Sequence, residues 1–390
     1  MDRDPEVVFV GHEATLTGAP ILLLHLLGWL RAESHLPFTV LLMRGGRLEQ
    51  AFRELGGRRL VGRWPSMAVE ALDRRRTAPR VSRRLYLSAA ARQLARFQNA
   101  RVFYLNTAAA AELIPLLPPK ARVITHVHEL EHSLKTDIRP EAVAALGRSH
   151  RVIAAGSRVA ENLIANHGVP ESAITIVPEF VRALPDLPME NGDPWPAAGL
   201  PEGIRVVGSC GGLHWRKGPD LFVQVAKQVL DHAPPGPPLH FVWVGAEAGT
   251  DSHARMIHDV DRQGISDRFW LIPPVSDPFR LMSAMEVFLL TSREDPFPVV
   301  CLEAAALGRP VLAFDCGNIG DLLQPDGLII PYGDVPTMAT RVRELLSDRA
   351  RARRLGGALR RRVMERYLLT TVGPAILEVI REQQTAARAM

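Results

Sequence analysis

Short apolar runs rich in valine, leucine, isoleucine and phenylalanine recur along this chain, separated by longer stretches of helical periodicity. In the first half, residues 7–10, 38–42, 102–105, 123–126 and 152–155 read as strands; in the second, residues 205–209, 240–244, 269–272, 287–290 and 311–314 do. Runs this short, with little polar alternation, fit strands buried on both faces, which is the pattern of parallel sheets. Helical segments between most of them imply crossover connections of the right-handed kind. Residues 21–30 are almost wholly apolar and follow Pro20, which suits a first helical turn. This run is too short to cross a bilayer and includes His25, so a buried core helix is expected.

The two series of strands are separated by a proline-rich interval, residues 184–196, that reads as a linker. The predicted fold class is therefore α/β, with two doubly wound, Rossmann-like domains facing across a cleft bordered by strand carboxyl ends. The expected boundaries are 1–183, a linker at 184–203, and a second domain at 204–370.

Residues 291–311 carry the clearest chemistry. A buried strand leads into a polar loop with two prolines and then into an Ala/Leu-rich helix that starts near Val299 and Val300. The first N–H groups of such a helix lack internal partners and favour an anion. Asp295 on the loop and Glu303 on the helix are placed to bind hydroxyls on either side of a bound phosphate. Two hydroxyl-rich groups joined by phosphate describe a nucleotide sugar. A second element follows the strand at 205–209: Gly211 and Gly212 let the backbone pass close to a ligand, and Arg216 and Lys217 stand before a helix near Pro219. An Arg fork and a Lys point charge suit a diphosphate whose leaving oxygen gains charge.

The remaining motifs are weaker. The loop 11–20 does not have the spacing GxGxxG, so a dinucleotide reading fails there. Asn106 with Thr107, and Ser157, follow other strands as polar loops. Residues 128–132 spell H-E-x-x-H, but His128 directly continues a strand-like run, whereas the zinc motif needs both histidines on one helix face. Asp259-Val-Asp261 lies within an amphipathic helical segment and reads as a solvated face. No metal is expected.

Three cysteines without clustered spacing argue for a reducing compartment, and residues 1–5 are charged, without an apolar signal region. A cytoplasmic protein is expected, at most peripheral at the inner membrane face. The net charge of +5 is unevenly spread: Arg74, Arg75, Arg76, Arg80, Arg83, Arg84, Arg92, Arg96 and Arg101 occur with no acid between them. Such a series suits anionic lipid headgroups, an acidic saccharide or nucleic acid, or is a solvated basic face.

The acid-x7-Glu pattern of Asp295 and Glu303, followed by a small-residue helix and Gly308-Arg-Pro310-Val311, resembles the signature of family 4 glycosyltransferases of the GT-B fold. The family usually has Glu at the first position, so Asp295 or its neighbour Glu294 takes that role. Arg216-Lys217-Gly218 resembles the family's Arg/Lys diphosphate element, with Gly212 standing where the Arg usually is. The loop before Gly18 and Ala19 is similar to the family's first glycine loop, and His128-Glu129 to its His-Asp element. The resemblance implies a retaining transferase that moves a sugar from a nucleoside-diphosphate sugar to a saccharide, lipid-linked or small-molecule acceptor. Cell-surface polysaccharide or glycoconjugate synthesis is the expected setting. It implies reaction at His128, Arg216, Lys217 and Asp295. Donor contacts would come from Gly18, Ala19, Gly211, Gly212, Val275, Glu294, Phe297, Pro298, Val299, Val300 and Glu303. Acceptor contacts would come from Glu13, Asn106, Thr107 and Ser157. It further implies an N-terminal acceptor-side domain, a C-terminal nucleotide-sugar domain, and a final helix over 371–390 crossing back to the first. The partners expected are the nucleotide sugar and the acceptor, with an anionic membrane as a peripheral one, no nucleic acid, and no cofactor. The rival readings are a nucleotide-sugar epimerase or hydrolase of the same fold, and a silent sugar-nucleotide-binding partner subunit.

Overall fold

The computed structural model describes residues 6–61, 79–183, 192–325 and 328–389. The chain divides into two compact units, Met1–Glu179 with Leu369–Met390, and Phe180–Leu368.

The first unit is built on seven strands: β1 (Val7–Gly11), β2 (Phe38–Leu42), β3 (Gly57–Arg59), β4 (Val102–Asn106), β5 (Arg122–Val127), β6 (Arg151–Ala154) and β7 (Ile174–Ile176). Their order is β3-β2-β1-β4-β5-β6-β7, and every pairing is parallel. Chain order reverses between β1 and β4, where Gly11 lies in register with Asn106. That reversal opens a crevice at the carboxyl ends of the two strands. Every residue of β1 and β4 is buried, as expected of central parallel strands. The helix Leu369–Arg388 belongs to this unit and packs on the helix Gly18–Glu33 and on β4 and β5. Close approach requires Gly373, whose added Cβ would stand 3.0 Å from the Trp29 ring. Arg122 Nε donates to Gln383 Oε1 at 3.0 Å, and Gln384 Nε2 to Glu6 Oε2 at 2.7 Å, which fix the C-terminal part of the helix.

The second unit has six parallel strands: β8 (Arg205–Cys210), β9 (Leu239–Val244), β10 (Phe269–Ile272), β11 (Val287–Leu290), β12 (Val311–Phe314) and β13 (Ile329–Ile330). The order β10-β9-β8-β11-β12-β13 repeats the reversal, now between β8 and β11. Arg205 at the start of β8 is buried, and its guanidinium meets Glu286 at 2.8 Å and the Leu346 carbonyl at 2.6 Å. Some helix starts of this unit are capped by side chains: Thr250 accepts from His253 N, Asp334 from Thr337 N and Asp348 from Arg351 N.

All ten strands read from the pattern are present, with ends shifted by at most one residue. The three that the pattern misses, β3, β7 and β13, are sheet-edge strands of two or three residues. Their identity comes from pairing with a neighbour, and β3 carries two arginines in its three residues. Of the linker interval, residues 184–191 lie outside the described residues; beyond them Trp195 is buried, and Asp193 accepts from the Trp195 and Gly203 N–H groups. In the arginine series, Arg74, Arg75 and Arg76 lie outside the described residues, as does the side chain of Arg80. Arg83 meets acids distant in sequence, Glu141 at 2.8 Å and Glu112 at 3.6 Å, and Arg101 pairs with Glu6 at 3.0 Å. Arg84, Arg92 and Arg96 remain exposed. Among the described residues no helix is long and apolar enough to cross a membrane.

Ile380 in the last helix has no exposed surface. Ile380→Ala should cost about 2–5 kcal/mol, because truncating a fully buried side chain loses its transfer free energy and leaves a cavity. A lowered denaturation midpoint in urea, followed by tryptophan fluorescence, is the expected result.

Candidate functional site

In the second unit the loops after β8 and β11 meet at the order reversal. After β8 the chain makes a tight passage: Gly211 N donates to the Val244 carbonyl at 2.8 Å and the Trp243 indole donates to the Gly211 carbonyl at 2.7 Å. Trp215–Lys217 form one 3-10 turn, and Gly218, with φ 64°, starts the helix Pro219–Leu230. A side chain at Gly218 would meet the Thr291 carbonyl at 2.1 Å, so a glycine is needed for the two loops to touch. The Thr291 hydroxyl then donates to the Gly218 carbonyl at 2.9 Å, and Arg293 N to the Arg216 carbonyl at 2.7 Å. Arg293 forms two bonds to Asp220, at 2.8 and 2.6 Å, and lies over the Trp215 ring.

This scaffold brings Lys217 and Asp295 together as an ion pair between Nζ and Oδ2. Asp295 is buried and Lys217 partly exposed, so the ammonium is the member within reach of a ligand. Arg216 Nη1 donates weakly to the Glu294 carbonyl at 3.5 Å, and its guanidinium is partly exposed. The Asp295 loop is held from beneath: Asn318 N donates to the Pro296 carbonyl at 2.8 Å, and Gly317, with φ 47°, stands where a Cβ would lie 1.8 Å from the Asp295 carbonyl. Phe297 is buried against Tyr367, and Pro298 precedes the helix Val299–Ala306, whose first residues Val299 and Val300 are partly exposed. Glu303 lies one turn further on. Burial pushes its carboxyl from the ordinary 4.5 up to about 7, with Arg182 acting the other way. The Cys210 thiol at the end of β8 is pushed up to about 12, by burial and then by Glu303, against the pull of Lys217. Val275, also expected at the donor, is exposed on the loop after the edge strand β10, two strands from β8.

The first unit carries a different constellation. Asn106, at the end of β4, donates through Nδ2 to the Ala19 carbonyl at 3.0 Å and so ties the reversal to the start of the helix Gly18–Glu33. Its Oδ1 is thereby turned to His128 Nε2, at 3.2 Å. His128 Nδ1 lies 2.5 Å from Glu179 Oε1. With an amide oxygen on one side and a carboxylate on the other, both ring nitrogens act as donors and His128 is an imidazolium. Burial pulls its pKa down, but the Glu179 charge and hydrogen bond raise it overall. His126 behaves in the opposite way: burial, then the nearby His128, holds it well below the usual range. Tyr104 OH reaches its Nδ1 at 2.6 Å. Glu129 is raised by burial, and its Oε2 accepts from the N–H groups of His128 at 2.9 Å and Ala108 at 3.3 Å. Thr107 between these groups adopts φ 97° and ψ 153°, a region nearly reserved for glycine and costing about 1–3 kcal/mol. The His128 of H-E-x-x-H is thus partnered by Glu179, while His132 lies on the helix Glu131–Thr136.

Glu13 accepts from Thr15 at 2.6 Å and lies 3.5 Å from His12; these bonds, against burial, bring its carboxyl down to about 2. Ser157 opens the helix Ser157–His167 and is exposed. Residues that the sequence reading did not single out include Glu179, Arg182 and Arg293. The one sequence signal for Glu179 is an acid flanked by apolar residues in Val177-Pro-Glu-Phe-Val181.

The raised carboxyl of Glu303 has a definite sign. Its folded pKa of about 7 exceeds 4.5, so ionisation penalises the folded state progressively between pH 4.5 and 7, by up to about 3 kcal/mol. Glu303→Gln removes that penalty. Its melting temperature should exceed that of the parent above pH 7, and the two should converge below pH 4.5 in a thermal-shift series.

Residues 204–348 match the family model described as glycosyl transferases group 1. The chain is 28% identical over 218 residues to the D-inositol 3-phosphate glycosyltransferase of Nocardia farcinica, covering 54% of this chain and 48% of that one. It is 26% identical over 238 residues to the 2-deoxystreptamine N-acetyl-D-glucosaminyltransferase of Streptomyces fradiae, covering 60% and 55%. The chain thus spans about half the length of the curated relatives it matches. Among solved structures, Anabaena Alr3699/HepE in complex with UDP and glucose superposes with a TM-score of 0.80 at 17% identity, over 96% of this chain and 99% of that one. The sucrose-phosphate synthase of Thermosynechococcus elongatus does so with 0.77 at 19%, over 98% and 100%. With strand order, reversal points and these likenesses in agreement, the chain has the fold of the GT-B glycosyltransferases, and its match to the group 1 glycosyl transferase model runs over residues 204–348.

Proposed function

We propose that the protein is a retaining glycosyltransferase that takes its sugar from a nucleoside-diphosphate donor. The observation that carries this reading is the convergence of Lys217, Asp295 and Glu303 at the reversal between β8 and β11, beside an open helix start. Lys217, oriented by Asp295, and Arg216 neutralise the diphosphate, and the N–H groups at Val299 and Val300 receive one of its phosphates. Glu303 binds the ribose diol. With a carboxyl poised near pH 7, it both donates and accepts, as two vicinal hydroxyls require. Asp295, or Glu294 beside it, accepts from hydroxyls of the transferred sugar.

In the reaction, the bond from the anomeric carbon to the diphosphate oxygen breaks while the acceptor hydroxyl attacks from the same face. The acceptor proton passes to the departing diphosphate oxygen. Lys217 and Arg216 act where negative charge grows, which is where a fixed cation lowers the barrier. The imidazolium of His128 contributes positive charge at the carboxyl edge of the first unit, since both of its ring nitrogens are engaged. The donor contacts need no metal. The relatives named for D-inositol 3-phosphate and 2-deoxystreptamine favour a polyhydroxylated acceptor, free or in a glycoconjugate. The bound UDP of the Anabaena structure makes uridine diphosphate sugars the first donors to try. The exposed Arg84, Arg92 and Arg96 are the described part of a series that would hold such an enzyme at an anionic membrane when the acceptor is lipid-linked.

Lys217→Ala and Glu303→Ala should each lower transfer by about a hundredfold or more, measured as release of nucleoside diphosphate with an accepted acceptor. Near-normal turnover in both variants would remove this mechanism. Thermal shift with a panel of UDP-, GDP-, TDP- and ADP-sugars should give one class that stabilises the protein, by an increment that EDTA leaves unchanged.

A further inference from the structure

The first unit holds a buried set of possible ligand atoms on His126, His128 and Glu179, of which only His128 enters the reaction proposed above. His126 and His128 are two residues apart on β5 and its extension, so they share a face, and their ring centres are 4.0 Å apart. Glu179 arrives from the segment after β7. One nitrogen of each histidine and a carboxylate oxygen of Glu179 all lie within 4.8 Å of one another. The outward nitrogens already have partners: Tyr104 OH on His126 Nδ1 at 2.6 Å, and Asn106 Oδ1 on His128 Nε2 at 3.2 Å. The inward atoms are not satisfied in the same way. Among the described residues, His126 Nε2 and Glu179 Oε2 are both buried without a hydrogen-bond partner, on residues only 2% and 3% exposed. His128 Nδ1 and Glu179 Oε1, at 2.5 Å, are joined through a proton.

We propose that His126 Nε2, His128 Nδ1 and the Glu179 carboxylate bind a divalent transition ion, with zinc the best match. Two imidazoles and one carboxylate are a common zinc donor set, leaving a fourth position for water. Around a tetrahedral zinc the ligand atoms stand roughly 3.3 Å apart, given bonds of about 2.0–2.2 Å. The His128–Glu179 contact therefore opens by less than about 1 Å as its shared proton is released, which is the usual exchange of proton for metal. Tyr104 and Asn106 supply what ligating histidines need, an oxygen partner on the second ring nitrogen that fixes tautomer and ring plane. The ion would tie the end of β5 to the segment that follows β7. This site uses His-x-His and a distant Glu, not the H-E-x-x-H motif, and with the ion bound the positive charge assigned above to the His128 imidazolium comes from the ion instead. It does not depend on the transferase reading.

The test uses the full chain, stripped of metal with chelator and dialysed, then titrated with Co2+ alone. One equivalent should produce visible absorption bands of a low-coordinate cobalt site, which one equivalent of Zn2+ abolishes while raising the melting temperature. His126→Gln and Glu179→Gln should each weaken binding by at least about a hundredfold, and Tyr104→Phe by roughly 10–100-fold as a lost supporting bond does. His132→Ala should bind as the parent does. Absence of a stoichiometric cobalt site in the parent protein would overturn the proposal, and so would loss of the site in His132→Ala with retention in Glu179→Gln. The parent titration decides the question even where a variant fails to fold. Donor-induced thermal shift on the same stripped protein reports on the transferase reading separately.

Discussion

Parallel pairing is the constraint on which the rest of this molecule depends. Adjacent parallel strands must return through crossovers, so every strand of a sheet runs the same way and all carboxyl ends fall on one edge. The central strands are buried on both faces, which leaves that edge as the place where polar side chains can stand. Reversal of chain order between β1 and β4, and again between β8 and β11, sends neighbouring crossovers to opposite faces. Two loops then splay apart in each unit, and those loops carry Asn106, Lys217 and Asp295.

What occupies each reversal is costly, and the structure contains the compensation. Asp295 is buried, and an unpaired carboxylate there would be strongly unfavourable; Lys217 offsets it, and Gly317 and Asn318 hold the loop in the position where the pair forms. Glu303, with no ion pair among the described residues, yields by taking up a proton more readily. In the first unit, the imidazolium of His128 is balanced by Glu179, and the neighbouring His126 stays neutral as a result of burial and that adjacent charge. Thr107 adopts its strained backbone where His126 and Glu129 both hold the adjoining peptide groups, through Thr107 N and Ala108 N. Strain of that kind persists only where surrounding bonds over-determine it.

How much was legible differs between the two units for a physical reason. In the second unit the chemistry is local: Arg216 and Lys217 are adjacent, Asp295 and Glu303 are eight residues apart, and each group sits next to a strand end that its apolar run announces. Even so, the approach of Gly317 to the Asp295 carbonyl is not legible in the sequence, because backbone contacts leave no residue pattern. In the first unit the adjacent letters misdirect. His128 and His132 look like a pair because they are four apart, yet a strand, not a helix, precedes His128 and projects it with His126. Its acid comes from 51 residues further along. The arginine series reads as free of acids in the sequence, whereas Arg83 finds Glu112 and Glu141 by way of the fold.

The sequence by itself determined the parallel α/β architecture and the positions of the long strands, because burial on both faces imposes an apolar run that no neighbour can supply. It also determined the polar groups that follow those strands, since loop chemistry is carried by adjacent residues. Only the tertiary structure decided the short edge strands, the side-chain contacts that fasten the last helix, the partners of His126, His128 and Lys217, and the proton affinity of Glu303. Edge pairing, helix docking and protonation state all depend on atoms brought close by distant parts of the chain. Electrostatic and hydrogen-bond energies fall off over a few ångströms of space, and separation along the chain does not measure that distance.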